Sequence, residues 1–296
     1  MSEFIQQLIN GLSVGAMYAL IAIGYTLVYG VLRFINFAHS DVFMVGSFTG
    51  LYAGRAFTQA SWAGGVTVML VSMLACAVLG IVIERVAYKP LRSRSKLTVL
   101  ITAIGVSMLL QNVAQLVFGT NQQAFPDTLP ATTFQLGKLV VSSKDLVVLG
   151  FTLCLLGGLE YIVLKTRIGT AMRAVSFNPQ AAALMGIPID RIISFTFGLG
   201  SALAAAGGFL WAYKFPRIDP FMGVAPGLTA FVAAVLGGIG NITGAALGGL
   251  MLGVIETMVK GSRWSTWTEA IAFVLLILVL LFKPAGLLGR VQAEKV

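Results

Sequence analysis

The stretch NGLSVGAMYALIAIGYTLVYGV, Asn10 to Val31, carries no charged residue over 22 positions. Roughly 20 predominantly apolar residues suffice to cross the hydrocarbon of a bilayer as a helix, so this segment reads as a membrane span. Comparable runs recur along the whole chain, near 5–31, 36–57, 63–83, 97–118, 145–164, 192–213, 224–240, 243–259 and 268–282. The expected fold is therefore an all-α integral membrane bundle of eight or nine transmembrane helices, some short or broken. Segment 36–57, with His39 and Asp41 near its start, and the short pair 224–240 and 243–259 are the candidates for half-helices or broken helices.

Composition agrees. Of 296 residues 57% are hydrophobic and 10% charged, with a mean hydropathy of +0.91, whereas a soluble domain carries roughly 25% charged residues. The net charge of +9 does not imply a nucleic-acid partner, because the basic residues sit in short connections between apolar runs. Glu3 stands where a signal peptide would be basic, and the first run is too long for a signal, so the first helix is expected in the mature protein. Cys76 and Cys154 both fall inside apolar runs and read as small buried hydrophobes. With one histidine and no HExxH, Cys-x-x-Cys or phosphate-binding Gly-x-x-x-x-Gly-Lys motif, no metal site, redox chemistry or nucleotide hydrolysis is expected in this chain.

Basic residues set the orientation. Arg33, the group Arg85, Lys89, Arg92, Arg94 and Lys96, the group Lys165, Arg167, Arg173 and Arg191, and the tail residues Lys283, Arg290 and Lys295 put thirteen of the 20 on one side. That side is expected to be cytoplasmic, with the N-terminus periplasmic and the C-terminus inside. Residues 119–144 read as a periplasmic loop, with a hairpin around Lys138 to Ser142. Residues 166–190 form a cytoplasmic loop, and no linker divides 1–296 into separate domains. Small residues in the first span (Gly11, Gly15, Ala16, Ala19, Ala22) and the sixth (Gly198, Ser201, Ala202, Ala205, Gly208) suggest an inverted repeat.

Three constellations carry functional meaning. In FNPQAAALMGIP, Asn178 is a helix cap, Pro179 suits the first helical position, Ala181, Ala182, Ala183, Leu184 and Met185 favour helix, and Gly186 and Pro188 end it. The product is a short, sharply bounded cytosolic helix with apolar side chains. It serves either as packing on its own domain or as a coupling helix, a lever seated on a nucleotide-hydrolysing partner. In FVAAVLGGIGNITGAALGGLMLGVIE, small residues recur every four positions, predicting close helix contacts around a turn at Gly240 and Asn241, where polar groups face a pathway. In INFAHSD, the cluster Asn36, His39, Ser40 and Asp41 is either a substrate path at membrane depth or an interfacial loop with a solvated histidine. Glu160 and Glu256 are expected to reach interfacial water, and Trp264 and Trp267 to anchor at the interface.

NGLSVGAMYALIAIGYTLVYGV, INFAHSD, FNPQAAALMGIP, the long block from Asp190 to Glu256 and the terminal KPAGLLG together resemble the permeases of branched-chain amino acid ABC transporters, in particular the H-type subunit of the Leu/Ile/Val uptake system. The resemblance covers essentially the full length. It implies a non-enzymatic subunit of a bacterial inner-membrane importer, paired with a second permease as a homo- or heterodimer. Two cytosolic ATP-binding subunits would bind ATP and Mg, and a periplasmic binding protein would deliver the amino acid. Asn178 to Gly186 would be the coupling helix; Asn36, His39 and Asn241 are the path candidates that the residues themselves suggest. Ser40 stands where the family usually has glycine. Relatives carrying urea or short amides, and an ion-coupled secondary transporter using His39 and Asp41, are the alternatives. An intramembrane hydrolase lacks paired catalytic groups.

Overall fold

The computed structural model describes residues 2–57, 59–92, 94–136 and 139–289. Arg290 and Lys295, counted above among the basic residues, and Lys138, named at the expected hairpin, lie outside them. Eleven α-helices are present among the described residues: α1 (Ser2–Leu32), α2 (His39–Gly54), α3 (Trp62–Ile83), α4 (Lys96–Phe118), α5 (Ser143–Lys165), α6 (Arg167–Phe177), α7 (Pro179–Leu184), α8 (Ile189–Lys214), α9 (Val224–Gly237), α10 (Ile242–Lys260) and α11 (Thr268–Phe282). Seven segments are long and apolar enough to cross a membrane. The expected spans at 36–57 and 224–240 shrink to 16 and 14 helical residues in α2 and α9, so the nine apolar runs are seven full-length helices and two half-length ones.

The core is the antiparallel pair α1 and α8, buried over most of their length. Lys214 donates to the Ser13 hydroxyl at 2.8 Å near one end of the pair, the Tyr18 and Trp211 rings lie 5.9 Å apart, and Gly24 faces Gly200 further along. Outward-facing leucine and valine on α3, α4, α5 and α11, such as Leu74, Val78, Leu116 and Leu281, suit hydrocarbon as solvent. Cys154 on α5 belongs to this outer face and is exposed, contrary to expectation; Cys76 is buried and its thiol faces the Val42 carbonyl.

Each core helix leads through a non-helical segment into a half-length helix. After α1 comes 33–38, then α2; after α8 comes 215–223, then α9. α2 begins beside Gly24, where a Cβ would stand 2.1 Å from the His39 imidazole. Gly24 precedes the end of α1 by eight residues, about 12 Å of helix rise. The chain thus turns back before helix resumes. The N-termini of α2 and α9 meet there, since a Cβ on Gly223 or Gly227 would lie 2.2 Å from Ser40 atoms. Helices α1–α4 and α8–α11 repeat the same order with opposite direction: α1 packs on α10 as α8 packs on α3, and α2 packs on α3 as α9 packs on α10. The small-residue stripes enforce this closeness. Gly249 and Gly253 take Ala19 and Gly15 of α1 against one face of α10, while Gly244 and Gly248 take Gly237 and Ala233 of α9 against another.

At the end bearing 119–142, strands β1 (Gln123–Ala124) and β4 (Arg217–Ile218) pair antiparallel, and β2 (Thr133–Leu136) and β3 (Leu139–Ser142) form the expected hairpin. Lys214 binds Asp145 at 2.5 Å, joining α8 to α5. At the opposite end, the tail closes α9: Leu287 and Leu288 amides donate to the Leu236 and Gly237 carbonyls at 2.8 and 3.1 Å. KPAGLLG is therefore a helix-terminating strap, turned by Gly286 at φ +78°.

Candidate functional site

α1 stops at Arg33, which adopts φ 54° with its amide on the Tyr29 carbonyl. The segment that follows carries Asn36 and His39 inward, among apolar side chains of α1 and α8. His39 is 1% exposed, its ring tilted against that of Tyr25 with centroids 4.8 Å apart, and its Nε2 has no partner. The solvated-histidine alternative is thereby excluded. Asn36 is buried and its Oδ1 accepts from the Tyr88 hydroxyl at 2.5 Å. Asp41, also buried, accepts from Gln111 of α4 at 2.9 Å through Oδ1, while Oδ2 has no partner. Ser40 needs no glycine-like backbone: it lies in regular helix, its hydroxyl donates to the Phe37 carbonyl, and Gly227 leaves room for its side chain.

Two residues here were missed in the sequence. α3 does not simply end but passes into a π-helical turn, Glu84–Tyr88, followed by a 3₁₀ turn, Lys89–Leu91. The extra residue per turn rotates Tyr88 toward Asn36 and leaves Glu84 beneath α8. Glu84 is fully buried; Ser194 donates to its Oε2 at 2.5 Å, and Arg92 pairs with its Oε1. Arg92 also holds Asp190 at 2.8 Å, and Lys89 holds the same carboxylate at 2.7 Å. A glutamate beside a basic cluster looks like ordinary surface charge in sequence, and only the packing of this segment against α8 and Arg92 buries it.

Asp190 directly follows the loop that bears α7. Asn178 Oδ1 accepts from the Ala181 amide at 3.0 Å, and Pro179 opens the helix. At its end the Ile187 amide donates to the Ala182 carbonyl and the Gly186 amide to the Ala183 carbonyl, with Gly186 at φ +81°. These two bonds form a Schellman closure. The helix is six residues, shorter than the two turns expected. Ala182 is buried against the chain itself, whereas Phe177, Leu184 and Met185 are 83%, 89% and 82% exposed. The rod before it, α6, is tied down: the Ser176 hydroxyl donates to the Gly30 carbonyl at 2.5 Å, and Arg173 donates to the Val163 carbonyl of α5.

Asn241 stands apart from Asn36 and His39. It caps α10 by accepting from the Gly244 amide at 3.0 Å and donates to the Leu288 carbonyl at 2.8 Å, so it holds the tail strap. Glu160 is exposed as expected. Glu256 is not: its side chain is 10% exposed and its Oε2 is enclosed without a partner. Trp264 and Trp267 are exposed at the end opposite α7. Among the described residues no three His, Cys, Asp or Glu side chains gather as a metal ligand set.

Residues 7–280 match the family described as branched-chain amino acid transport system, permease component. The chain belongs to that permease family. It is similar to the high-affinity branched-chain amino acid transport system permease protein BraD of Pseudomonas aeruginosa, with 42% identity over 99% of this chain and 98% of BraD. Similarity to LivH, the corresponding permease protein of Salmonella typhimurium, is 39%, and to LivH of Escherichia coli 38%, each over 99% of this chain and 98% of the relative. The permease is thus a transport component and not an enzyme, and the buried groups around Asn36 belong to a membrane protein built to move a solute.

Proposed function

We propose that this chain is one of two permease subunits of an ATP-driven importer that carries branched-chain amino acids across the bacterial inner membrane. Two cytosolic ATP-binding subunits and a periplasmic binding protein complete the assembly, with ATP and Mg held by the cytosolic pair. The observation that carries the reading is α7: a helix stopped at both ends, with Leu184 at its end, Met185 after it and Phe177 of α6 before it projecting away from their own chain. Apolar side chains this exposed on a connection at the bundle's end require a partner surface. The end bearing α7 also holds Arg33, Lys89, Arg92, Arg167 and Arg191, which supports a cytoplasmic placement, with the N-terminus and 119–144 periplasmic.

A mechanical route runs from the lever to the interior. Movement of α7 reaches Asp190, then Arg92 and Glu84, then the π turn, and so Tyr88 and Asn36 at the break before α2. A second route passes from α6 through Ser176 to the inner end of α1. Asn36 and His39 then lie where α1 and α2 part, on a path that opens when those routes shift the half-helices. Asn241 serves the same path indirectly, by holding the turn between α9 and α10.

The test is Leu184→Asp in the reconstituted complex with a loaded binding protein. The variant is expected to assemble its permease pair, keep its melting temperature, and lose uptake with loss of ATPase stimulation. Unchanged uptake, or uptake by the permease alone driven by an ion gradient, would reject the reading.

A further inference from the structure

Beyond Asn36 and His39 a cavity of about 470 Å³ is lined by residues of α1, α8, α9, α10 and α11. Its volume is in the range of small-molecule sites. Three kinds of group line it. The apolar wall is Trp211, Leu228, Val232 and Phe273; Tyr18 and Thr229 add hydroxyls; Glu256, Glu269 and Lys260 supply charge.

One buried carboxylate on the lining is incompletely hydrogen-bonded. Glu256 is nine-tenths buried; its Oε1 is bound by Lys260 at 2.5 Å, and its Oε2 is enclosed with no hydrogen-bond partner. Glu269, also on the lining, is exposed and solvated, so the unmet demand is that of the enclosed Glu256 Oε2 for a hydrogen-bond donor, which an ammonium supplies. The start of α9 also lines the cavity, and its cap Gly223 offers no side chain. In its first turn the Val224 amide is bonded to Phe221, Pro226 has no N–H, and the Ala225 amide has no backbone acceptor among the described residues. That amide, at the positive end of the helix dipole, suits a carboxylate. A cation site, an anion site and an apolar wall thus share one small space.

We propose that this cavity binds a zwitterionic α-amino acid with a branched aliphatic side chain: ammonium on Glu256, carboxylate at the Ala225 amide, side chain against Val232 and Phe273. This rests on the importer reading for its substrate class and adds a resting place inside the permease, distinct from the binding protein. No covalent step is involved.

The experiment titrates the purified four-subunit complex, without binding protein, by calorimetry and by tryptophan emission, since Trp211 lines the site. Leucine and 4-methylpentanoate, which lacks only the ammonium, are compared on wild type and on Glu256→Gln. Wild type is expected to bind leucine about tenfold or more tightly than 4-methylpentanoate, the usual worth of one charge-assisted hydrogen bond. Glu256→Gln should bring leucine down to the level of 4-methylpentanoate and leave the latter unchanged. The ligand pair on wild type decides the matter even where the variant does not assemble. Equal binding of the two ligands, no leucine binding to wild type, leucine binding unaltered in Glu256→Gln, or equal binding of phosphoethanolamine, which would mark a lipid-headgroup site, each overturns the proposal. Uptake from loaded binding protein is measured on the same preparation. Uptake without Glu256-dependent binding removes the site alone, and Glu256-dependent binding without uptake removes the importer reading alone.

Discussion

Replacing Gly186 by alanine tests the lever with no change of charge or contact. Gly186 sits at φ +81°, and a Cβ there would meet nothing within 4 Å. The entire cost is therefore conformational, about 1–2 kcal/mol for an L-residue in the left-handed region. α7 has only six residues, far below the length at which a helix persists alone, so its formation depends on its caps. A cost of that size shifts the population of the closed lever by roughly 5- to 30-fold. Hydrogen exchange in the reconstituted complex reads this directly: the Gly186 and Ile187 amides, which close the helix onto Ala183 and Ala182, should exchange faster by that factor. ATP consumed per solute transported should rise with it. Gly186→Asn is expected to fall between glycine and alanine, because asparagine tolerates the left-handed region better. An alanine variant with glycine-like exchange and coupling, or an inverted order of the two substitutions, would refute the assignment of α7 as a lever held by its caps.

Gly253→Leu should prevent stable folding, because a Cβ there lies 2.2 Å from backbone atoms of Gly15; detergent-solubilised yield and thermal melting report it, and Gly150→Leu, which meets open space, serves as control. Arg92→Gln leaves Glu84 buried beside Ser194 alone, at a cost of about 3–5 kcal/mol, and adding Glu84→Gln should restore much of the lost melting temperature. Tyr88→Phe removes the donor to Asn36 and should lower stability by about 1 kcal/mol while slowing uptake more than binding-protein docking, measured as transport rate against binding-protein affinity.

The bilayer fold was legible because membrane spans announce themselves by length and charge alone. The run from Asn10 to Val31 needed nothing further, and the capped helix at Asn178 to Gly186 was legible for a related reason: caps and terminators are local chemistry. The small-residue stripes were also visible, since Gly249 and Gly253 sit four residues apart, although their partners Ala19 and Gly15 were not. What sequence could not show was depth. Residues 36–57, with His39 and Asp41 near the start, and the short run 224–240 both read as candidate spans, and nothing local distinguishes a crossing from a half-helix starting inside the bundle. That depends on α1 and α8 being packed against both. Glu256 was misread for the same reason: a carboxylate four residues before Lys260 resembles a solvated helix-end pair until α11 folds over it.

The two half-helices also differ in a way that separates their roles. α2 begins in the protein interior and α9 beside it, with Val224 and Ala225 exposed at the cavity, and the positive end of each helix dipole favours a negative or polar partner. α2 carries its own, Asp41 in its first turn, and spends it on Gln111 and the interior of the bundle. α9 has no acidic residue in its first turn and no side-chain cap, and Pro226 removes one of its amides. An inverted repeat built from two such helices would be expected to answer the same electrostatic requirement twice, and it does so only once within the chain. The unanswered end is the one that borders the cavity holding Glu256. If α9 merely tolerated its bare terminus, an acid placed at Val224 would be stabilising, as acids in a first helical turn generally are, by about 0.3–1 kcal/mol. If the terminus is kept bare for a ligand carboxylate, Val224→Asp should raise the melting temperature and at the same time weaken leucine binding. A stability gain with no loss of leucine binding would show that the two half-helices differ for structural reasons alone.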